Sequence, residues 1–171
     1  YKRQMKTCIA TVNQEIIAES KENEKYAGMG TTFVAATVSD HKVTVMNIGD
    51  SRLYYGNKEL KQITVDHSYV EELINAGMLD REQGRIHPKK NVITRALGSQ
   101  VATPDFFEFE AEEGYLLLCS DGLSNMISND ELKELLLDHD QIANKINKMI
   151  ARANEYGGKD NISLVIVDLK R

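Results

Sequence analysis

Strand-forming segments follow one another along this chain instead of alternating with helices. Residues 31–39 and Lys42–Ile48 are rich in β-branched and apolar side chains and are separated only by a short turn at 39–41. Residues 52–55 and 58–63 form a second pair around another short turn. Short turns join antiparallel neighbours, whereas parallel strands need a long crossover. The order predicts an α+β fold of antiparallel sheets with helices packed outside, not a doubly wound parallel sheet.

The first segment has the periodicity of an amphipathic helix. Across Lys2–Glu22 the apolar residues Met5, Ile9, Val12 and Ile16 recur at spacings of four and three. These spacings place all four side chains on one helical face. We expect that face to pack on the rest of the molecule.

Both helices and strands are predicted in the middle and at the end of the chain. Residues 69–78 have helical periodicity, and the charged stretch 80–91 is expected to be a mobile loop. Helices are predicted from a capping box at Ser128 to about residue 138, and again over 141–154. Further strands are predicted at 92–95, 106–109, Tyr115–Cys119 and 162–169. The last of these is nearly continuously apolar, which is typical of a strand covered on both faces.

The composition is that of an ordinary globular protein, and it limits the classes of partner that we expect the chain to bind. A net charge of −5 disfavours a nucleic-acid partner, because phosphate binding needs a basic surface. No apolar run approaches the roughly 20 residues of a membrane helix, so no membrane insertion is expected. Cys8 and Cys119 lie far apart in apolar settings and are predicted to be buried, reduced thiols of a cytoplasmic protein. Residues 1–171 are predicted to form one domain.

Four aspartates lie in polar turns beside predicted strands: Asp50, Asp66, Asp121 and Asp160. Aspartate is common in turns simply because its side chain hydrogen-bonds nearby backbone, and this explanation stays open for each residue alone. Asp121 directly follows a buried strand and Asp160 precedes one, so this pair is the stronger candidate for a shared site. Converging carboxylates repel one another unless a cation lies between them, and hard oxygen ligands suit Mg²⁺ or Mn²⁺.

These turns belong to five short sequences that occur in a fixed order. They are NIGDSR at 47–52, DHS at 66–68, NVITRALG at 91–98, LCSDGL at 118–123 and GGKDN at 157–161. Together they closely resemble the motif series of the type-2C (PPM) metal-dependent serine/threonine protein phosphatases, particularly the bacterial members. The resemblance implies a four-layer αββα sandwich of two antiparallel sheets flanked by helices, with the N-terminal strands missing.

The same resemblance implies a metal centre with two catalytic Mn²⁺ or Mg²⁺ ions. Asp121 and Asp160 would ligate one of these ions. Asp50 and Asp121 match the pair that holds a third, weaker ion in bacterial members. No catalytic side chain is visible beyond these metal ligands.

Other residues are assigned by similarity to substrate access or to structure. Residues 66–91 resemble the flap subdomain beside the cleft, which contains Asp66, His67, Ser68 and His87; for His87 a solvated loop histidine is favoured over a catalytic one. The residues of the motifs that are expected to be structural are Gly49, Arg95, Gly98, Gly122 and Asn161. For Arg95, anchoring a strand is favoured over contacting substrate.

The activity implied is hydrolysis of phosphoserine and phosphothreonine in proteins by a metal-activated water, without a cysteine or serine nucleophile. Phosphoprotein substrates of a Ser/Thr kinase would be the partners. The sequence lacks the family's phosphate-gripping arginine and its Asp-Gly-x-Gly-Gly-His segment, so the chain is expected to begin inside the first helix as a partial catalytic domain that is inactive or impaired. A non-catalytic regulatory relative, and a phosphatase dedicated to one regulatory protein, stay open as alternatives.

Overall fold

The computed structural model describes residues 2–170, which form six α-helices, one 3-10 helix and seven strands. The helices are α1 (Lys2–Glu22), α2 (Tyr69–Asn75), α3 (Arg81–Ile86), α4 (Asp121–Ser124), α5 (Asn129–Leu137) and α6 (Ile142–Glu155), with the 3-10 helix at Glu24–Tyr26. The strands are β1 (Phe33–Ser39), β2 (Lys42–Ile48), β3 (Arg52–Gly56), β4 (Leu60–Gln62), β5 (Asp105–Glu110), β6 (Tyr115–Cys119) and β7 (Leu164–Asp168).

The strands form two antiparallel sheets, which confirms the predicted α+β class. One sheet has the order β1-β2-β5 and the other the order β4-β3-β6-β7. Both predicted strand pairs joined by short turns, β1 with β2 and β3 with β4, are neighbours in these sheets. The stacking of the sheets into four layers stays a prediction.

The described residues group into two compact units. The first unit contains residues 2–34, 46–50 and 65–106, and the second contains 35–45, 51–64 and 107–170. The single domain and the flap subdomain predicted from the sequence stay predictions.

The first unit has a small apolar core under α1. Ile9 is buried together with Met46, Ile48 and Leu97, and Met5 packs against them. The predicted apolar face of α1 is therefore its packed face, except that Val12 is exposed.

The second unit has the larger core, which the strand register builds. Tyr54, Leu117 and Ile166 are direct partners across β3, β6 and β7, so their side chains lie in one row on one face of the sheet. This row packs in one cluster with buried residues of two helices, namely Leu132 and Leu136 of α5 and Met149 and Ala153 of α6.

Lys145 of α6 is a charged residue inside this second unit. Its side chain is fully buried. The Nζ donates a hydrogen bond to the carbonyl oxygen of Leu136 at 2.6 Å and lies 4.0 Å from the centre of the Tyr115 ring. The ammonium therefore satisfies a carbonyl in the last turn of α5, where the helix leaves its own carbonyls without partners.

Residues 80–91 are not the loop that was predicted, because α3 forms there. Asp80 caps α3: its side chain accepts from the Gln83 amide while the Gln83 side chain accepts from the Asp80 amide. A Cβ at Gly84 would approach the side chains of Val70 and Ile74 closely, so α3 packs on α2 through this glycine. The reciprocal cap and this close contact stabilise a helix too short to give a periodic signal.

Three other sequence predictions are wrong in detail. Residues 92–95 form no strand, and Ile93 makes only an isolated bridge to Ser68. β7 is not covered on both faces, since Val165 is 56% exposed. Cys8 is exposed, because its position on α1 lies outside the packed face, whereas Cys119 is buried as predicted.

None of the helices among residues 2–170 combines the length and the apolar character that crossing a membrane requires.

Candidate metal centre

Hydrogen bonds join the end of β6 to the segment that precedes β7. The Ser120 amide donates to the Ser163 carbonyl oxygen at 2.9 Å, and the Ser163 amide donates to Ser120 Oγ at 3.0 Å. Ser120 Oγ in turn donates to the Asn161 carbonyl oxygen at 3.2 Å. Asp121 and Asp160 each stand directly beside one of these bonded residues, so the two aspartates are brought to the same end of the sheet.

Gly122 allows the two segments to approach this closely. A Cβ at this position would collide with the carbonyl oxygen of Asn161. Only glycine lacks that atom, so Gly122 keeps α4 in contact with the segment that contains Asp160.

The charges of Asp121 and Asp160 interact. Burial raises the pKa of the Asp121 carboxyl above its ordinary value, and the negative charge of Asp160 raises that pKa further. The Arg52 guanidinium acts in the opposite direction but does not reverse the shift. A second positive charge beside Asp121 would therefore stabilise its ionised form.

Local hydrogen bonds hold both carboxylates in place. Asp121 Oδ2 accepts from the Asn125 side chain at 3.2 Å. Asp160 Oδ1 accepts from the Asn161 amide at 2.7 Å. Asp160 is exposed and Asp121 is half-buried, so part of each carboxylate can face a ligand that arrives from solvent.

This donor set fits a hard divalent cation. Carboxylate oxygens are the preferred protein ligands of Mg²⁺ and Mn²⁺, and these ions keep several waters when one or two carboxylates bind them. Within residues 2–170, no three side chains of His, Cys, Asp or Glu gather into a metal-binding group. The centre described here is therefore a pair of aspartates, Asp121 and Asp160.

Asp50 lies in the turn between β2 and β3, within the first compact unit, whereas Asp121 and Asp160 belong to the second. Gly49 precedes it with a φ of 105°, a conformation that favours glycine. A Cβ there would also meet the side chain of Thr32. The pairing of Asp50 with Asp121 at a third ion stays a prediction.

His67 supports the turn that contains Asp50. Its Nδ1 accepts a hydrogen bond from the Gly49 amide at 3.1 Å, and its own amide donates to the Gly49 carbonyl oxygen at 2.9 Å. The His67 Nε2 lies 3.0 Å from Asp105 Oδ2. With its side chain 4% exposed, His67 is enclosed by protein and does not face solvent.

Asp105 is a member of this cluster that the sequence did not predict. It accepts from Arg95 on one carboxylate oxygen at 3.1 Å and from His67 on the other. Asp105 is the first residue of β5, and Asp121 follows shortly after the end of β6. A position at a strand end is therefore the sequence signal that could have identified Asp105. Asp105 lies outside the five sequence motifs, and its partners Arg95 and His67 are 10 and 38 residues away along the chain.

The other predicted residues lie in contacts that support the fold. Ser68 caps α2, with its Oγ accepting from the Glu71 amide at 3.2 Å. His87 ends α3 and accepts from the Lys89 amide. Gly98 donates its amide to Asn13 Oδ1 at 2.6 Å, and Asp66 is half-buried just before the His67 cluster.

Comparison with known proteins assigns this architecture to a family. Residues 2–165 match the family described as protein phosphatase 2C. A serine/threonine phosphatase stp of Listeria monocytogenes serotype 4b is 41% identical over 163 residues, which are 94% of this chain and 65% of that protein. The chain thus spans about two thirds of the length of this relative.

Solved structures agree with the sequence match. A serine/threonine phosphatase of S. agalactiae superposes with a TM-score of 0.91 at 36% identity and covers 99% of this chain, which spans 71% of that structure. The catalytic domain of the phosphatase PstP, solved in complex with two manganese ions, superposes with a TM-score of 0.81 at 33% identity over 91% of this chain and 66% of its own. Because the family match runs from α1 into β7 and includes Asp121 at the start of α4 and Asp160 before β7, the chain belongs to the protein phosphatase 2C family.

Proposed function

We propose that the protein hydrolyses phosphoserine and phosphothreonine in phosphoproteins, with Mn²⁺ or Mg²⁺ as its cofactor. The observation that carries this proposal is the joining of Asp121 and Asp160 by the Ser120–Ser163 hydrogen bonds. Family membership supports the reaction, since the relatives are named serine/threonine phosphatases. The structure of a neighbour with two manganese ions supports the choice of cofactor.

Each residue of the pair has a role in holding the ion. The half-buried Asp121 and the exposed Asp160 would each provide one carboxylate, and Asp50 would contribute to a further ion. When bound, the metal would ease the loss of a proton from water and offset negative charge on the phosphoryl oxygens. Ser120 and Gly122 would act as positioning residues, because they keep the two segments that contain these carboxylates in contact.

The finer assignments are also proposals. We propose substrates that a Ser/Thr kinase has phosphorylated, and a cytoplasmic location. We also propose that these 171 residues hydrolyse phosphoproteins slowly, because their sequence does not contain the family's phosphate-gripping arginine or its Asp-Gly-x-Gly-Gly-His segment.

The test measures metal binding and phosphate release separately. Calorimetry with Mn²⁺ should show binding that the Asp121→Asn and Asp160→Asn variants lose. Phosphate release from a phosphothreonine peptide should depend on Mn²⁺ and fall by about 100-fold or more in either variant, the usual effect of removing a preorganised electrostatic group. Glu112→Gln changes an exposed carboxylate in another turn and should leave both readouts unchanged.

Two results would count against the proposal. Mn²⁺ binding without phosphate release at any protein concentration would indicate a non-catalytic regulatory module. Phosphate release that persists in both aspartate variants would show that the pair does not form the centre.

A further inference from the structure

Side-chain contacts tie α5 to α6 at two places. Lys148 Nζ donates to Asp138 Oδ2 at 2.9 Å, which joins the middle of α6 to the residue that follows α5. Arg152 Nη1 donates to Glu131 Oε1 at 2.6 Å, which joins the last turn of α6 to the start of α5. The two helices therefore run in opposite directions, and the Glu131 contact lies near the end of α6 that leads to Asp160.

Glu131 accepts a second hydrogen bond at the same oxygen. The Tyr156 hydroxyl donates to Oε1 at 3.1 Å, and the Glu131 side chain is 19% exposed. In the capping box predicted at Ser128, a glutamate at this position would accept from the Ser128 amide. Ser128 Oγ does accept from the Glu131 amide at 3.3 Å, but within residues 2–170 the Glu131 carboxylate accepts from α6 instead. The capping box is therefore half formed, and the carboxylate links two helices.

The end of α6 leads directly into the segment that contains Asp160. Tyr156 is the C-cap residue of α6, and the Gly158 amide donates back to the carbonyl oxygen of Ala153 at 3.1 Å. The chain is thus bound to α6 as far as Gly158, and only Lys159 separates that residue from Asp160. A movement of the last turn of α6 would therefore be transmitted to Asp160.

Asp160 lies between two attachments to the rest of the second unit. On one side the chain is bound to α6 through the Gly158 amide. On the other side the Asn161 carbonyl oxygen accepts from Ser120 Oγ at 3.2 Å. The first attachment depends on where α6 ends relative to α5, and Glu131 provides a contact that fixes this position.

We propose that Glu131 is a positioning residue for the Asp160 carboxylate. By accepting from Arg152 and Tyr156 it holds the last turn of α6, and through that turn it sets the place at which the segment with Asp160 begins. Residues that do not bind a metal themselves commonly orient its ligands and change its affinity. The effect on Mn²⁺ binding rests on the proposed function, whereas the ordering of residues 157–161 follows without metal.

Calorimetry with Mn²⁺ tests the effect on the metal centre. Glu131→Ala should raise the dissociation constant for Mn²⁺ by about tenfold, the lower end of the range for residues that support metal ligands. Glu131→Gln keeps an oxygen that can accept from Arg152 and Tyr156, so it should keep the dissociation constant within about threefold of the parent value. A purely electrostatic role would give equal changes in the two variants, because both remove one negative charge.

Two control variants each remove one negative charge and one ion pair. Glu155→Ala removes a contact of 3.2 Å with Arg152, but both residues belong to α6, so the link to α5 is kept. Asp138→Ala breaks the contact with Lys148 between the same two helices, but at the middle of α6 and not at its end. Both variants should bind Mn²⁺ as tightly as the parent does.

A measurement in EDTA tests the position of Asp160 without metal. The Asn161 amide donates to Asp160 Oδ1 at 2.7 Å, and NMR can follow the exchange of this amide with solvent. Glu131→Ala should raise its exchange rate relative to that of the Leu117 amide in β6, which reports opening of the whole sheet. Glu155→Ala should leave the ratio of the two rates unchanged.

Three results would overturn the proposal. The first is a loss of Mn²⁺ affinity in Glu155→Ala or Asp138→Ala that equals the loss in Glu131→Ala. The second is an equal loss in Glu131→Gln, because the proposal invokes the hydrogen bonds and not the charge alone. The third is an unchanged ratio of exchange rates in Glu131→Ala. If the parent binds no Mn²⁺, the proposed metal centre fails, but exchange at Asn161 still decides whether Glu131 orders this segment.

Discussion

At the scale of single residues, His67 is held by hydrogen bonds at both nitrogens of its ring. A backbone amide can only donate, so the Gly49 amide requires an unprotonated Nδ1 on His67. The proton therefore lies on Nε2, which donates to Asp105 Oδ2. The Arg95 guanidinium lies 3.3 Å from Nε2. Because both of these groups are donors, the guanidinium donates to Asp105 Oδ1 instead. The ring therefore clamps the Gly49 turn to Asp105.

Replacement of His67 should destabilise the protein. We expect His67→Ala to lower the free energy of unfolding by about 1–3 kcal/mol, because the buried Gly49 amide loses its acceptor. Urea unfolding followed by circular dichroism measures the change. His41→Ala, at an exposed histidine in the β1–β2 turn, should stay within about 0.5 kcal/mol. Equal losses in the two variants would rule out the clamp.

At the scale of secondary structure, the start of α6 has a group of charged side chains. Asp140 accepts from the Asn144 side chain at 3.0 Å and lies 2.8 Å from Lys148 Nζ. The hydrogen bond from Asn144, followed by that from Lys148, lowers the pKa of Asp140 from 3.8 to about 2. Lys148 also contacts Asp138 at 2.9 Å, beyond the end of α5, and so links the ends of the two helices.

The titration of Asp140 tests this arrangement. The carboxyl resonance of Asp140 should titrate near pH 2. Asn144→Ala should move its midpoint upward toward 3.8, because the largest cause of the lowered pKa is removed. Carbon NMR of the side-chain carboxyl measures both midpoints. Asn147→Ala, on the exposed face of the same helix, should leave the midpoint in place.

The sign of the stability effect follows from the direction of the shift. The folded-state pKa of Asp140 lies below its unfolded value, so its contribution to stability is present above pH 3.8. The contribution is lost as the pH falls toward 2. A midpoint unchanged by Asn144→Ala would contradict the hydrogen bond as its cause.

The sequence predicted the elements whose signal is local. The bounds of α1, β2 and β6 agree with the prediction because each has a clear periodicity or an uninterrupted apolar run. The helix α3 was missed because its stability comes from the Asp80–Gln83 cap and from the contact of Gly84 with α2. The contact between α3 and α2 is a tertiary contact, and it leaves no periodic pattern in the sequence of α3.

At the scale of the whole molecule, the aspartate pair is expected to reduce stability until a cation is bound. Asp121→Asn removes one of two repelling carboxylates, so the variant should unfold at a higher temperature than the metal-free parent. A saturating concentration of Mn²⁺ should stabilise the parent, by about 2.7 kcal/mol at 100 times the dissociation constant. The variant should lose this stabilisation. Thermal unfolding with and without Mn²⁺ measures both effects.

The thermal unfolding experiment has a matched control and a result that would contradict the prediction. Glu112→Gln removes one negative charge from an exposed turn and should keep the response of the parent to Mn²⁺. If Asp121→Asn unfolds at a lower temperature without metal, the two carboxylates do not repel each other appreciably in the folded state.

The candidate centre was predictable only in part. Asp121 and Asp160 were found because each stands at the end of an apolar strand, and β6 and β7 are neighbours in the sheet. The Ser120–Ser163 bonds and the cluster of His67, Arg95 and Asp105 depend on residues that are distant along the chain. Pairing of this kind is a property of the folded molecule, and no local pattern reports it.

The enclosed amine of Lys145 has a practical consequence. Acylating reagents attack lysine amines that meet solvent, and this amine is covered by Leu136 and Tyr115 for as long as α5 and α6 stay together. The rate at which Lys145 is labelled would therefore follow the transient opening of this helix pair, whereas an exposed lysine such as Lys61 would be labelled without such opening.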